Sequence, residues 1–135
     1  MVEKLYRGKR IDNGEWVYGF LYETENAESY ILKKERLTIN YKCMEGITTH
    51  VTFIQVDPST VGQCVSNLPD KNGKKIFEGD IVSTPKYNGV VIYGTGCYCI
   101  KHGNNSPAID IVMNEFDVYV IGNIHDNPEL LEDNP

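Results

Sequence analysis

DNGEWVYGFLY, residues 12–22, is the stretch on which the fold class turns. Asp12, Asn13 and Gly14 form a hairpin signal, because Asn and Gly tolerate the positive φ values that tight hairpin turns require. After the turn, Trp16, Tyr18, Phe20 and Tyr22 alternate with Val17, Gly19 and Leu21. That period of two puts the four rings on one face of a strand. A strand is therefore expected on each side of the turn.

Working outward, Ser29–Lys33 and His50–Val56 read as further strands, Glu23–Glu28 as a polar connection and Tyr41–Thr49 as ambiguous. Asp57 and Pro58 punctuate the chain, and residues 60–75 run through Gly62, Pro69 and the turn Asp70-Lys71-Asn72-Gly73 with few apolar anchors. The expected organisation is a strand-rich module over 1–59, a connecting segment over 60–75 and a second module over 76–135. In the second module, Asp80–Thr84, Gly89–Tyr93, Cys97–Lys101, Ile109–Met113 and Asp117–Ile121 read as short strands, with tight turns at Asn88-Gly89 and Gly94–Gly96 and a longer loop over His102–Pro107. Short strands at such intervals suggest a small barrel, whose closure removes exposed edges. Asn127, Pro128 and Glu129 match an N-cap, a first-position proline and an acid at the positive end of a short helical turn. The fold class is mainly β.

Composition narrows the setting. The 41% hydrophobic and 24% charged residues of the 135-residue chain fit a folded globular protein. The net charge of -6 argues against a generic binder of nucleic acid or anionic membrane, since phosphate capture needs positive potential. Charge is uneven, however, with Lys4, Arg7, Lys9 and Arg10 against Glu3 at the start. The start MVEKLYRGKR turns polar before a signal-peptide stretch develops, and no apolar run is long enough to span a bilayer. A cytoplasmic setting, no membrane and reduced cysteines are the expectations.

Three stretches, RGKRIDNGEWVYG at 7–19, TVGQ with DKNGKKIFEGDIV at 60–63 and 70–82, and VIGNIHDNPELL at 120–131, together resemble the YopX family of phage and prophage proteins. The resemblance implies a temperate-phage or prophage origin in bacteria, a β-rich fold with an SH3-like barrel towards the C-terminus, and no established biochemical activity. It carries over no catalytic or binding residues. The glycines and acids of these motifs read as turn residues that serve folding rather than chemistry.

Chemistry-bearing candidates are few. Cys97, Cys99 and His102 could offer three zinc ligands, but the one-residue gap between the cysteines is shorter than structural zinc pairs use, and on a strand the two simply share a face as small hydrophobes. A cysteine nucleophile beside His50, His102 or His125 has nothing in the sequence to select the pair. No nucleophile elbow, metalloprotease helix, phosphate loop or dinucleotide fingerprint occurs. The chain is expected to be non-enzymatic, with no catalytic residues, metal or cofactor.

The aromatic row is the better candidate. Trp16, Tyr18, Phe20 and Tyr22, with Arg7, Lys9 and Arg10 on the neighbouring strand, form a candidate interaction surface. Core packing ranks first for the rings, an oligomer or partner interface second and nucleobase stacking third. Alternation puts Arg7 and Lys9 on one face and Arg10 on the other. The favoured reading is a non-catalytic accessory protein that binds copies of itself or a host or phage protein. The alternative is a nucleic-acid-binding module built on the basic N-terminal hairpin and the SH3-like barrel.

Overall fold

The computed structural model describes residues 4–41, 44–65, 68–94 and 96–131, with backbone alone for 34–41 and 44–50. The chain is mainly β, with two antiparallel sheets, and forms two compact units, Met1–Val61 and Gly62–Pro135. Among the described residues no helix is long and apolar enough to cross a membrane.

Unit 1 is built around the hairpin the sequence predicts. Strands β1 (Tyr6–Lys9) and β2 (Trp16–Glu23) pair antiparallel across the turn, from Lys9 opposite Trp16 to Tyr6 opposite Gly19. Gly14 takes φ +73, its N–H donates to the Arg10 carbonyl at 2.9 Å, and the Asn13 side chain accepts from the Glu15 N–H at 2.9 Å. At Gly19 the strand changes neighbour: residues 16–19 pair with β1, whereas Phe20–Glu23 pair with Ser29–Leu32 of β3 (Ser29–Tyr41). β3 then pairs along its whole length with β4 (Met44–Val56). The end of β4 returns to the end of β1 through a bridge between Arg10 and Val56, with Asp57 N–H donating to the Lys9 carbonyl at 2.8 Å.

β3 and β4 are much longer than Ser29–Lys33 and His50–Val56. Beyond Leu32 they run on as a two-stranded ribbon with no third strand among the described residues. Lys33-Lys34-Glu35-Arg36 has no apolar–polar alternation, so this part of β3 carries no strand signature in the sequence.

Close packing at two glycines marks which side of β2 is inside. The core comprises Val17, Ile31 and Val56, with Tyr6, Leu21, Ile54 and Val61 packed against it. A Cβ on Gly8 would stand 2.8 Å from a Val56 methyl, and one on Gly19 would meet the Leu32 carbonyl. The side that carries Gly8, Val17 and Gly19 is thus the inner one. The ranking of Trp16, Tyr18, Phe20 and Tyr22 as core is therefore corrected: they lie opposite it, Trp16 and Phe20 half-buried, Tyr18 and Tyr22 exposed.

Unit 2 begins with the short strand β5 (Gly62–Gln63), beyond which the Val65 N–H donates to the Ile76 carbonyl at 2.7 Å. Its sheet comprises β6 (Asp80–Ser83), β7 (Asn88–Tyr93), β8 (Tyr98–Lys101) and β9 (Tyr119–Asn123), in the order β8-β7-β6-β9. The described strand pairs leave the sheet open, with β8 and β9 at its ends. Helix α1 (Ile109–Glu115) covers it, and the core joins Val65, Ile76, Val82, Val91, Ile100, Ile109, Val112 and Val118. The C-terminal helical turn expected after Asn127 is present as a 3-10 turn over Pro128–Leu131.

Two local expectations fail in unit 2. Ile109–Met113 is helix, not strand. Ile109 and Val112 are buried while Met113 and Phe116 pack against the same core, the i, i+3, i+4, i+7 spacing of a helix face, and Ile111 points outward. The β-branched composition masks that period. Nor is Asn88-Gly89 the turn. Thr84–Tyr87 makes it, with the Thr84 N–H and hydroxyl both donating to the Tyr87 carbonyl at 2.9 and 3.0 Å. Gly89 lies inside β7, where a Cβ would stand 2.5 Å from an Ile100 methyl.

Two of the motif acids, Asp70 and Asp80, are buried structural clips. Asp70 Oδ1 accepts from the N–H groups of Asn72 and Lys74 at 2.9 and 2.8 Å, closing its own turn. Oδ2 accepts from Val120 N–H at 2.9 Å, tying that turn to β9. Asp80 Oδ2 accepts from Phe77 N–H at 2.8 Å. A carboxylate satisfied by backbone donors tolerates burial that an unpaired charge would not.

Candidate interaction surface

The side of unit 1 away from its core gathers residues from all four strands. In the β1–β2 register Arg7 stands opposite Tyr18 and Lys9 opposite Trp16, so both cations share the aromatic side. The Arg7 guanidinium carbon lies 4.5 Å from the Trp16 ring centroid and Lys9 Nζ 5.4 Å, within the range of cation–π attraction. Arg7 is buried under this arrangement, 5% exposed. Across β2, Phe20 stands opposite Leu32 and Tyr22 opposite Tyr30. Across β3, Leu32 stands opposite Phe53 and Tyr30 opposite Gln55.

Phe53 and Val51 are surface members that reading β2 alone misses. Phe53 lies 6.1 Å from Tyr22, centroid to centroid. Tyr18, Tyr22, Val51 and Phe53 are 45%, 50%, 43% and 56% exposed. Phe53 and Val51 sit two apart in an expected strand, but only cross-strand register brings them beside β2. At the far end of β2 a carboxylate completes the side: Glu28 Oε2 accepts from Gln55 Nε2 at 3.1 Å and from the Tyr30 hydroxyl at 3.5 Å.

Arg10 is set apart from the other cations. At the hairpin turn its Nε donates to Asp12 Oδ1 at 2.9 Å and its Nη2 to Oδ2 at 2.8 Å. This bidentate bond holds the Asp12 carboxyl below the usual aspartate range and pushes the Arg10 guanidinium up. Because the folded Asp12 titrates lower than the unfolded one, its contribution is fully present above the ordinary aspartate pKa and is lost as pH falls through the lowered value. Arg10→Ala is expected to return the Asp12 midpoint, read by NMR titration, to the ordinary range. An unmoved midpoint would show that the pair does not set it.

His102 is stacked on Tyr87, centroids 3.6 Å apart, at a cleft of about 430 Å³ that also meets Asn88, Lys101 and Asn105 and contains no cysteine. Burial pushes the Tyr87 hydroxyl up. Cys97 and Cys99 have their sulfurs 3.7 Å apart, and among the described residues no three His, Cys, Asp or Glu side chains gather as metal ligands would. Cys43 and the His50 side chain lie outside the described residues.

Similarity to known proteins extends along the whole chain. A crystal structure of protein EF1440 from Enterococcus faecalis is similar at 22% identity and a TM-score of 0.60, covering 98% of this chain and 100% of that one. At that identity the likeness speaks to the fold. No curated protein matches the sequence. The family model described as YopX protein matches residues 5–132, and the chain therefore belongs to the YopX family.

Proposed function

We propose that this is a non-catalytic accessory protein that works by pairing with a second copy of itself through the aromatic side of unit 1. The observation that carries the reading is the exposure of Tyr18, Tyr22, Val51 and Phe53 on the one side of the sheet that has no core. Aromatic side chains supply large contact area at low entropic cost and are enriched at interface centres. Charge favours a second copy as occupant. Lys9 and Arg7 stand at the Trp16 end of β2 and Glu28 at the Tyr22 end, about 20 Å away at the strand rise per residue. A two-fold axis lying in the interface and running across β2 sets the Lys9 end of each copy on the partner's Glu28 end.

Membership of the YopX family supports a phage or prophage origin and hence a bacterial cytoplasm as the working place. The order of short strands, helix and final strand in unit 2 supports reading it as an SH3-like barrel whose edges are capped by neighbouring segments. No membrane, metal or cofactor enters this reading.

Sedimentation equilibrium is expected to give a dimer. The double variant Tyr22→Glu, Phe53→Glu is expected to weaken it about 30-fold, the equivalent of about 2 kcal/mol for interface hot spots, while the unfolding midpoint measured at protein concentrations where both chains are monomeric stays unchanged because both side chains are exposed. A monomer at high concentration, or a dimer indifferent to the two substitutions, overturns the reading. A nucleic-acid reading has one observation in its favour: Arg7 and Lys9 share a side with the rings, as in surfaces that stack bases and hold phosphates. It predicts oligonucleotide binding that falls with salt and is lost in the same double variant.

A further inference from the structure

Unit 2 holds a pair of sulfurs that the proposed dimer face does not use. Cys97 closes the turn after β7 and is exposed, whereas Cys99 lies within β8 and is 6% exposed. Alternation alone would put both on one side of a strand, each a small hydrophobe. The turn does more than that. Gly94 N–H donates to the Cys97 carbonyl at 2.8 Å, and the Cys99 thiol reaches the same carbonyl at 3.7 Å. Gly94 leaves the space the buried sulfur needs, since a Cβ there would stand 3.1 Å from Cys99 Sγ. The outcome is an Sγ–Sγ distance of 3.7 Å between one solvent-facing and one enclosed thiol. Burial, and then the adjoining Cys97 sulfur, push the Cys99 thiol up, so it is the Cys97 side that first meets a reagent from solution.

We propose that Cys97 and Cys99 form a thiol–disulfide exchange site for small solvent-borne disulfides, with Cys97 the attacking sulfur and Cys99 the resolving one. The Cys97 thiol loses its proton to water and its thiolate attacks one sulfur of the disulfide. A mixed disulfide forms on Cys97, and the other half leaves as a thiolate with the bonding electron pair. Cys99 then gives up its proton to solvent and attacks Cys97 Sγ. The mixed bond breaks, the Cys97–Cys99 bond forms and the second thiolate leaves. The two protein thiols are oxidised by two electrons, and the small disulfide is reduced to two thiols. Bond formation needs the two sulfurs to close from 3.7 Å to about 2.05 Å, the length of a disulfide bond.

The test uses the whole protein with oxidised glutathione at neutral pH, acid quenching and peptide mass mapping. In the wild-type chain the peptide bearing both residues is expected to lose two hydrogens and keep no glutathionyl group. Cys99→Ser is expected to accumulate a glutathionyl group on Cys97. Cys97→Ser is expected to leave Cys99 unreacted, and Cys99→Ala should repeat the Cys99→Ser result without a hydroxyl in the core. A glutathionyl group that persists on Cys97 in the wild-type chain, or two thiols that stay reduced while Cys64 reacts, overturns the proposal. Neither outcome bears on the dimer.

Discussion

Asp70→Ala is expected to cost about 3 kcal/mol of stability, read from urea unfolding followed by far-ultraviolet circular dichroism. The estimate comes from three backbone N–H donors losing a charged acceptor, each such bond contributing about 1.5–3 kcal/mol, with part recovered as water reaches the exposed turn residues Asn72 and Lys74. Val120 is the donor least able to recover, because it is half-buried within β9. Asp70→Asn separates the two jobs of the carboxylate. The amide keeps one oxygen, which can hold the turn or β9 but not both, and its NH₂ faces the remaining donors. An intermediate loss is expected. A loss below about 0.5 kcal/mol for Asp70→Ala, the range of ordinary surface substitutions, would show that the clip does not hold unit 2 together.

Gly19→Ala is expected to have the largest effect in unit 1, lowering stability by about 3 kcal/mol, the upper range for overpacking a tight interior. The added methyl would collide with the Leu32 carbonyl and stand 3.1 Å from an Ile31 methyl. A carbonyl in a paired strand cannot rotate away without breaking ladder bonds, so β2 and β3 must part at the point where β2 leaves β1. Glycine within a strand often marks such a bend. Trp16, the sole tryptophan, lies three residues away and makes the fluorescence transition a report on this unit. Gly14→Ala supplies the contrast. Nothing lies near its Cβ, so only the positive φ is strained, at about 1 kcal/mol. Equal losses for the two variants would mean that the close approach at Gly19 is relieved at no cost.

How much was legible varied with the range of the interaction responsible. The Asp12-Asn13-Gly14 turn and the strands flanking it depend on local backbone preference and are present as read. The helix over Ile109–Glu115 was hidden because its two buried residues, Ile109 and Val112, and the neighbouring Ile111 are β-branched, and propensity outweighed a period that only four positions express. Asn88-Gly89 has turn composition, yet Gly89 is there because Ile100 on the paired strand leaves no room for a side chain. The candidate surface divides in the same way. Its β2 rings were apparent, Arg10 proved to belong to the turn, and Phe53 and Val51 joined only through register.

Short-range rules of turn chemistry and alternation thus determined, from the residues alone, a mainly β chain with an aromatic row along one strand. They could not say which side of that row faces the core, because alternation marks two sides without ranking them. Tertiary packing made that choice, because Gly8 and Gly19 lie so close to Val56 and Ile31 that the side bearing them is closed. The same holds for the two sulfurs of unit 2, which are two apart in the chain but touch because the Gly94 turn folds one over the other.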